Sequence, residues 1–228
     1  MRRDSREDGK YLGWADTVNT PSQTNTFPLK VPASISREKA STVPLAAATV
    51  WLALFSKDCL NTNRSNAKGT SVLLAMIYGL DVITTCRPHN EDLVRSCGAK
   101  HVFDYNDPNV IVKITEVALI LQYIFDTIGN TTSSNLSFRV FADHKGDLCT
   151  VRPGKANRTS HCQHASTANF IGRLDRNDKH DQASNDDHEL ASELFENLRS
   201  WLEQGQVKPN KSKVLLGLDS VPQGFQGY

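Results

Sequence analysis

The chain has 228 residues, 39% of them apolar, with 26 basic against 25 acidic residues. That length holds one sizeable domain and part of a second, and the composition excludes fibrous and collagenous architectures. The nearly balanced charge leaves no whole-protein field to draw in nucleic acid or an anionic membrane, so a small or amphiphilic partner is expected.

The first residues, Met1-Arg2-Arg3-Asp4-Ser5-Arg6-Glu7-Asp8, mix charges and lack the apolar stretch of a secretory signal. The five cysteines, Cys59, Cys86, Cys97, Cys149 and Cys162, contain no C-x-x-C pair. Both features make the cytoplasm, with reduced thiols, the expected compartment. Residues 1–31 are polar turn formers around Pro21 and Pro28, with Tyr11, Trp14 and Phe27 enough for a short strand or two. A helix is expected from Ser36, which suits an N-cap, because Val43, Ala47, Val50 and Leu54 share one face. Pro44 should kink it or split it in two. The apolar run 43–55, broken by Pro44 and Thr49, is too short to span a bilayer.

Short apolar runs then alternate with helical patterns. Strands are expected at 79–85, 101–104, 121–126 and 146–151, and helices at 90–97 (closed by Gly98), 109–118 and 131–142. Strands separated by helices of this length imply crossovers and a parallel sheet, an α/β fold. Between 153 and 187 the pattern dissolves into Asn, Asp, His, Ser and Lys, which predicts a long loop, partly disordered. Leu190, Leu194, Leu198, Trp201 and Leu202 mark an amphipathic helix ended by Gly205. A final strand is expected at 213–218, and 221–228 begins another helix that the chain does not finish.

Five segments carry a resemblance. They are Pro44-Leu-Ala-Ala-Ala-Thr-Val-Trp-Leu-Ala-Leu-Phe55, Ile83-Thr-Thr-Cys-Arg-Pro-His-Asn-Glu-Asp-Leu-Val94, Gly98-Ala-Lys-His-Val-Phe-Asp-Tyr105, Tyr123-Ile-Phe-Asp-Thr-Ile128 and Gly205-Gln-Val-Lys-Pro-Asn210. Together they resemble the fungal trans-acting enoyl reductases and quinone-oxidoreductase-like proteins of the zinc-free medium-chain dehydrogenase/reductase superfamily. The resemblance runs from about Pro32 to the C-terminus and is weak over 143–187.

The resemblance implies a Rossmann-like parallel sheet with flanking helices, plus a remnant of a GroES-like β domain. Residues 1–35 correspond to that remnant, 36–185 to the NADP-binding domain and 186–228 to a C-terminal helix with a partial return toward the catalytic domain. Against the family, the chain looks truncated at both ends. The implied activity is NADPH-dependent reduction of an enoyl thioester, small or carried on an acyl carrier, in polyketide biosynthesis, with a polyketide synthase as partner. Nucleic acid and membrane are not expected partners, and no proton donor stands out. The helix carrying Ala47, Ala48, Thr49, Val50, Trp51 and Leu52 corresponds to one that helps form the family's substrate pocket. The register set by Gly79 places Arg64, Ser65, Asn66 and Ala67 at the family's phosphate-contacting turn.

The residues themselves support part of this. An NAD-binding unit ends its second strand with an acid for the ribose 2′-hydroxyl, whereas an NADP-binding unit supplies a cation. Here that strand ends Thr85-Cys86-Arg87, with no acid before Glu91. The guanidinium of Arg87 suits a phosphate, with Pro88, His89 and Asn90 beside it and further donors on the last two. A solvated arginine at a strand end is the other reading of Arg87. Tyr105 likewise either sits near the cofactor's phosphate end or is a half-buried ring with its hydroxyl in water.

Other features depart from the family. After Leu54-Phe55 the chain runs polar to Thr70 with one glycine and no β-branched strand, so the first strand and its glycine-rich turn are not evident. That strand would be central, and without it neighbouring strand edges are exposed. His161, Cys162, His164, His180 and His188 fit no standard zinc spacing, and no metal site is expected. Two rivals stay open: a non-catalytic remnant or interaction module, and a quinone or enone reductase.

Overall fold

The computed structural model describes residues 11–12, 29–63, 81–118, 121–141, 145–151, 162–167, 185–215 and 217–226. Near the start, β1 (Tyr11–Leu12) pairs antiparallel with β2 (Leu29–Lys30). Ser36 caps α1 (Arg37–Ala40), its hydroxyl accepting from the Lys39 amide at 3.4 Å. Pro44 then opens a second helix, α2 (Pro44–Phe55), in the first turn, where its missing N–H leaves nothing unpaired. The single helix expected from Ser36 is therefore split in two at Pro44.

A helix apolar on nearly every side must be covered on nearly every side. α2 buries Ala47, Ala48, Trp51, Leu52, Ala53, Leu54 and Phe55, and its main neighbour is the long amphipathic α6 (Asn185–Glu203). The α6 stripe Ala191, Leu194, Leu198, Trp201 and Leu202 closes over it. Gly205, at φ 71°, ends the helix as expected, with the Gln206 amide returning to the Trp201 carbonyl at 2.8 Å.

The alternating middle of the chain folds as β3 (Ile83–Cys86), α3 (Glu91–Ser96), β4 (His101–Asp104), α4 (Val110–Val117), β5 (Tyr123–Asp126), α5 (Thr131–Phe141) and β6 (Gly146–Thr150). These match the expected strands and helices closely. A short 3-10 turn, Pro88–Asn90, links β3 to α3, and Gly98 at φ 92° closes α3. All the pairings among these strands are parallel. β3 pairs with β4, Ile83 opposite His101 through Cys86 opposite Asp104, and β5 pairs with β6, Tyr123 opposite Asp147 through Asp126 opposite Thr150.

Alternate strand residues feed opposite layers, as the period of two requires. Val82, Phe125 and Cys149 join the core of α2 and α6, whereas Ile83 and Ile124 pack against Val110, Ile114 and Val140 of α4 and α5. Leu148 meets Phe138 and Phe141. A methyl group at Gly146 would fall inside the ring of Phe141, which is 1% exposed and has no room to turn aside. Gly146→Ala is expected to lower stability by about 1–3 kcal/mol in a denaturant titration, the usual cost of overpacking.

Two expectations are corrected. Residues 153–187 are not one long loop: β7 (Cys162–Thr167) adds a parallel strand to β6 with a register shift at Gly146/Asp147, and α6 already begins at Asn185. The β7 sequence has no apolar alternation, so its strand state comes from pairing with β6 rather than from propensity. Asp186 and Asp187 lie in the first turn of α6, where negative charge favours a helix start. No strand forms at 213–218 among the described residues, since Val214 stands 59% exposed without a strand beside it. Instead a 3-10 turn, Leu218–Ser220, leads into α7 (Val221–Gln226). The parallel pairings among the described strands run β4-β3 and β5-β6-β7, in keeping with the expected parallel α/β fold.

Candidate functional site

The carboxyl ends of β3, β4 and β5 converge on a cavity of about 760 Å³. Parallel register builds its charged corner. Because Cys86 lies opposite Asp104, the next residues along the two strands lead Arg87 and Tyr105 toward each other, and Arg87 Nε donates to the Tyr105 hydroxyl oxygen at 2.7 Å. That hydrogen bond, and then the charge interaction with Tyr105, favours the protonated guanidinium and raises its pKa further. Arg87 caps the Pro88–Asn90 turn with its backbone, the Asn90 amide donating to its carbonyl at 2.9 Å. Both side chains are exposed, Tyr105 by 41%, so the pair is fixed in direction and open to a ligand. His89 and Asn90 line the same rim; Pro88, exposed beside them, shapes the turn without lining the cavity.

Cys86 also lines this cavity. Burial pushes its thiol pKa up, the charges of Glu91 and Asp104 push it further, and Arg95 opposes them. At neutral pH Cys86 is a thiol, not a thiolate, and therefore a poor nucleophile.

Asp126, at the end of β5, is a residue that the sequence did not single out for the site. It is 6% exposed, and its carboxylate accepts from the Ile128 amide (3.0 Å), the Gly129 amide (2.9 Å), Ser133 Oγ (2.8 Å) and Ser134 Oγ (3.1 Å). These four bonds fix the turn into α5, with Gly129 at φ 63°, and so hold the wall of the cavity facing Arg87. An acid ending a strand before a Gly and a Ser-rich helix start is the signal by which the sequence could have revealed it.

The remaining candidates lie elsewhere. Ala47, Ala48, Trp51 and Leu52 are buried in the core shared with α6, Thr49 Oγ1 donates to the Leu45 carbonyl at 2.8 Å, and Val50 is partly buried against that core. None of the six lines the cavity among the described residues. Arg64, Ser65, Asn66 and Ala67 lie outside the described residues. So does part of the histidine group, and no cluster of three metal-ligating side chains occurs among the described residues. No described helix is long and apolar enough to cross a membrane.

No family model matches the chain. Solved structures share its fold. They include the CurK enoyl reductase (TM-score 0.63, 16% identity, 88% of this chain and 61% of that one) and an alcohol dehydrogenase superfamily protein from Novosphingobium aromaticivorans (0.61, 18%, 80% and 56%). The quinone oxidoreductase of Escherichia coli, solved with NADPH, is a third (0.55, 16%, 85% and 60%). The helix-separated parallel strands of this chain match the Rossmann-like fold of these medium-chain dehydrogenase/reductase structures. By sequence, the chain is similar to fungal trans-enoyl reductases: ACTTS2 of Alternaria alternata (28% identity, 86% of this chain, 62% of that protein) and eqxC of Fusarium heterosporum (32%, 55% and 40%). A zinc-type alcohol dehydrogenase-like protein of Schizosaccharomyces pombe is 28% identical over 97% of this chain and 70% of its own length. The chain thus spans about 62% of the first of these relatives and 40% of the second.

Proposed function

We propose that this chain is an NADPH-dependent oxidoreductase of the cytoplasm that reduces enoyl thioesters presented by a polyketide synthase. The observation that carries the reading is the Arg87–Tyr105 pair at the carboxyl end of β3, with no acid on that strand end. A hydroxyl-binding acid would repel a 2′-phosphate, whereas an oriented guanidinium pairs with it in a charge-assisted contact. The donor set therefore fits the phosphorylated ribose of NADPH.

In this reading Arg87 holds the phosphate, Tyr105 keeps the guanidinium aimed, and His89 and Asn90 add donors along a turn that Pro88 stiffens. Arg64, Ser65, Asn66 and Ala67 are proposed to meet the other phosphates. Asp126 keeps the β5 turn in place, so the cavity wall does not have to reorganise when a ligand enters. On α2 the substrate-facing part is the half-buried edge at Thr49 and Val50; Ala47, Ala48, Trp51 and Leu52 support it from the core. NADPH, when bound, supplies the hydride of an enoyl reduction; the protein supplies binding, orientation and exclusion of water.

Millimolar NADPH is expected to raise the melting temperature. A ligand at 100 times its dissociation constant stabilises by about 2.7 kcal/mol. No shift at that concentration ends the cofactor reading. Turnover of enoyl thioesters in preference to quinones would then separate the proposed substrate class from that of the quinone oxidoreductases that share the fold.

A further inference from the structure

The chain carries 26 cations and 25 acids, yet they are unevenly spread. Residues 204–218 hold Lys208, Lys211 and Lys213 and no acid, and residues 32–56 hold Arg37 and Lys39 against Glu38 alone. Tertiary hydrogen bonds join the two stretches. The Asn210 amide donates to Thr42 Oγ1 at 3.0 Å, just past α1, and that hydroxyl donates to the Lys39 carbonyl at 2.7 Å. The Lys208 ammonium donates to the Ser96 carbonyl, at the end of α3, at 2.7 Å. The result is a cationic ledge along α1 and residues 208–214, none of which lines the cavity assigned to the cofactor.

Three properties fix what this ledge can hold. The first is a set backbone. Residues 208–214 are neither helix nor strand, but Val207 before them is buried in the core and the Lys211 amide donates to Asn210 Oδ1 at 2.9 Å. With the bonds to Thr42 and Ser96 added, little chain order is lost when a partner arrives. The second is uncompensated charge. Arg37, Lys39, Lys208, Lys211 and Lys213 are all exposed, and none of the five forms an ion pair among the described residues. Arg95 and Lys100, in and after α3, are by contrast paired with Glu91 and Asp81. Like charges gathered in this way repel one another until counter-charge arrives, and their field speeds encounter with an acidic surface. The third is apolar surface beside the charge. Leu45 and Val214, in the same two stretches, are 47% and 59% exposed.

We propose that this ledge docks an acidic, amphipathic helix of the protein that presents the thioester. Carboxylates on one face of such a helix pair with the lysines, and its apolar stripe covers Leu45 and Val214. A membrane or a polynucleotide is the poorer match: both present negative charge over an extended front, and the remainder of the chain carries more acids than cations. The ledge ends at the start of α2, the helix whose edge at Thr49 and Val50 is read above as facing substrate, so docking there brings the presenting protein to the helix that meets its cargo. Naming that protein rests on the proposed function; the docking chemistry does not.

The test uses the whole chain and a synthetic peptide, Glu-Ala-Leu-Glu-Glu-Leu-Ala-Glu repeated twice, with a control in which every Glu is Lys. Wild type is expected to bind the acidic peptide, more weakly as salt rises and screens the contact, and not to bind the control. Lys211→Glu combined with Lys213→Glu is expected to weaken binding by at least about tenfold, since attraction is turned into repulsion at two positions. Lys113→Glu combined with Lys145→Glu changes the net charge equally, away from the ledge, and is expected to leave binding within about twofold of wild type. The proposal is overturned if the peptide does not bind at millimolar concentration, if the ledge variant binds it like wild type, or if the distant pair weakens it as much. Tighter binding to duplex DNA or to phosphatidylserine vesicles than to the peptide overturns it as well. Both variants should keep the wild-type melting temperature and NADPH affinity. NADPH titration without peptide therefore reads the cofactor assignment separately, and either idea can fail while the other stands.

Discussion

Arg87→Ala is expected to weaken NADPH binding by roughly 10- to 100-fold and to leave NADH binding nearly unchanged. The size follows from the loss of a charged hydrogen bond, about 1.5–3 kcal/mol, at 1.4 kcal/mol per tenfold. The selectivity follows from position: the guanidinium sits at the end of β3 on an exposed rim, held by Tyr105 at 2.7 Å, where only the 2′-phosphate distinguishes the two cofactors. Tyr105→Phe provides the internal check. It removes the oxygen that aims Arg87 but not the charge, so a smaller loss in the same direction is expected. Titration of both cofactors by fluorescence against wild type, Arg87→Ala and Tyr105→Phe decides the matter. If the Arg87→Ala preference for NADPH over NADH equals that of the wild type, Arg87 is a solvated strand-end arginine and the cofactor assignment loses its support.

What the sequence made legible was local. The split at Pro44, the strand at His101–Asp104 and the close of α3 at Gly98 depend on residues within a few positions of one another, through a missing N–H, apolar periodicity and a positive φ. The charge of the corner at Arg87, where we propose the cofactor binds, was legible for the same reason, because an acid missing from 83–90 can be seen without knowing the fold. Its geometry was not. Arg87 meets Tyr105, 18 residues away, only because β3 and β4 pair in the register that sets Cys86 against Asp104. β7 was hidden because nothing in Cys162-Gln-His-Ala-Ser-Thr167 distinguishes a strand from a loop until β6 lies beside it. What covers α2 was hidden in a related way: periodicity shows that Ala48, Trp51 and Leu52 are apolar, but not that a helix beginning 130 residues later packs over them.

That cover leads to the largest stability effect expected in the described fold. Trp51 is 0% exposed, with ring centroids 4.7 Å from Phe55 at 72° and 5.6 Å from Trp201 at 45°, and its Nε1 donates to the Leu190 carbonyl at 2.8 Å. One side chain thus ties α2 to both ends of α6 through packing and a hydrogen bond. Trp51→Ala removes all of it and leaves a cavity, which costs about 3–5 kcal/mol for a buried large aromatic. Against a total of about 5–15 kcal/mol for a folded domain, that is enough to melt a marginal one. Trp51→Phe keeps an aromatic ring and loses the N–H, so the hydrogen-bond part of its cost should be near 1 kcal/mol. Denaturant midpoints at constant slope separate the two contributions. A Trp51→Ala chain within about 1 kcal/mol of wild type would mean that α6 is held by its other contacts, among them the Lys57–Asp186 ion pair at 2.6 Å. That pair is more than half exposed on both sides, and exposed pairs contribute too little to replace a buried tryptophan, so the large loss is the expected result.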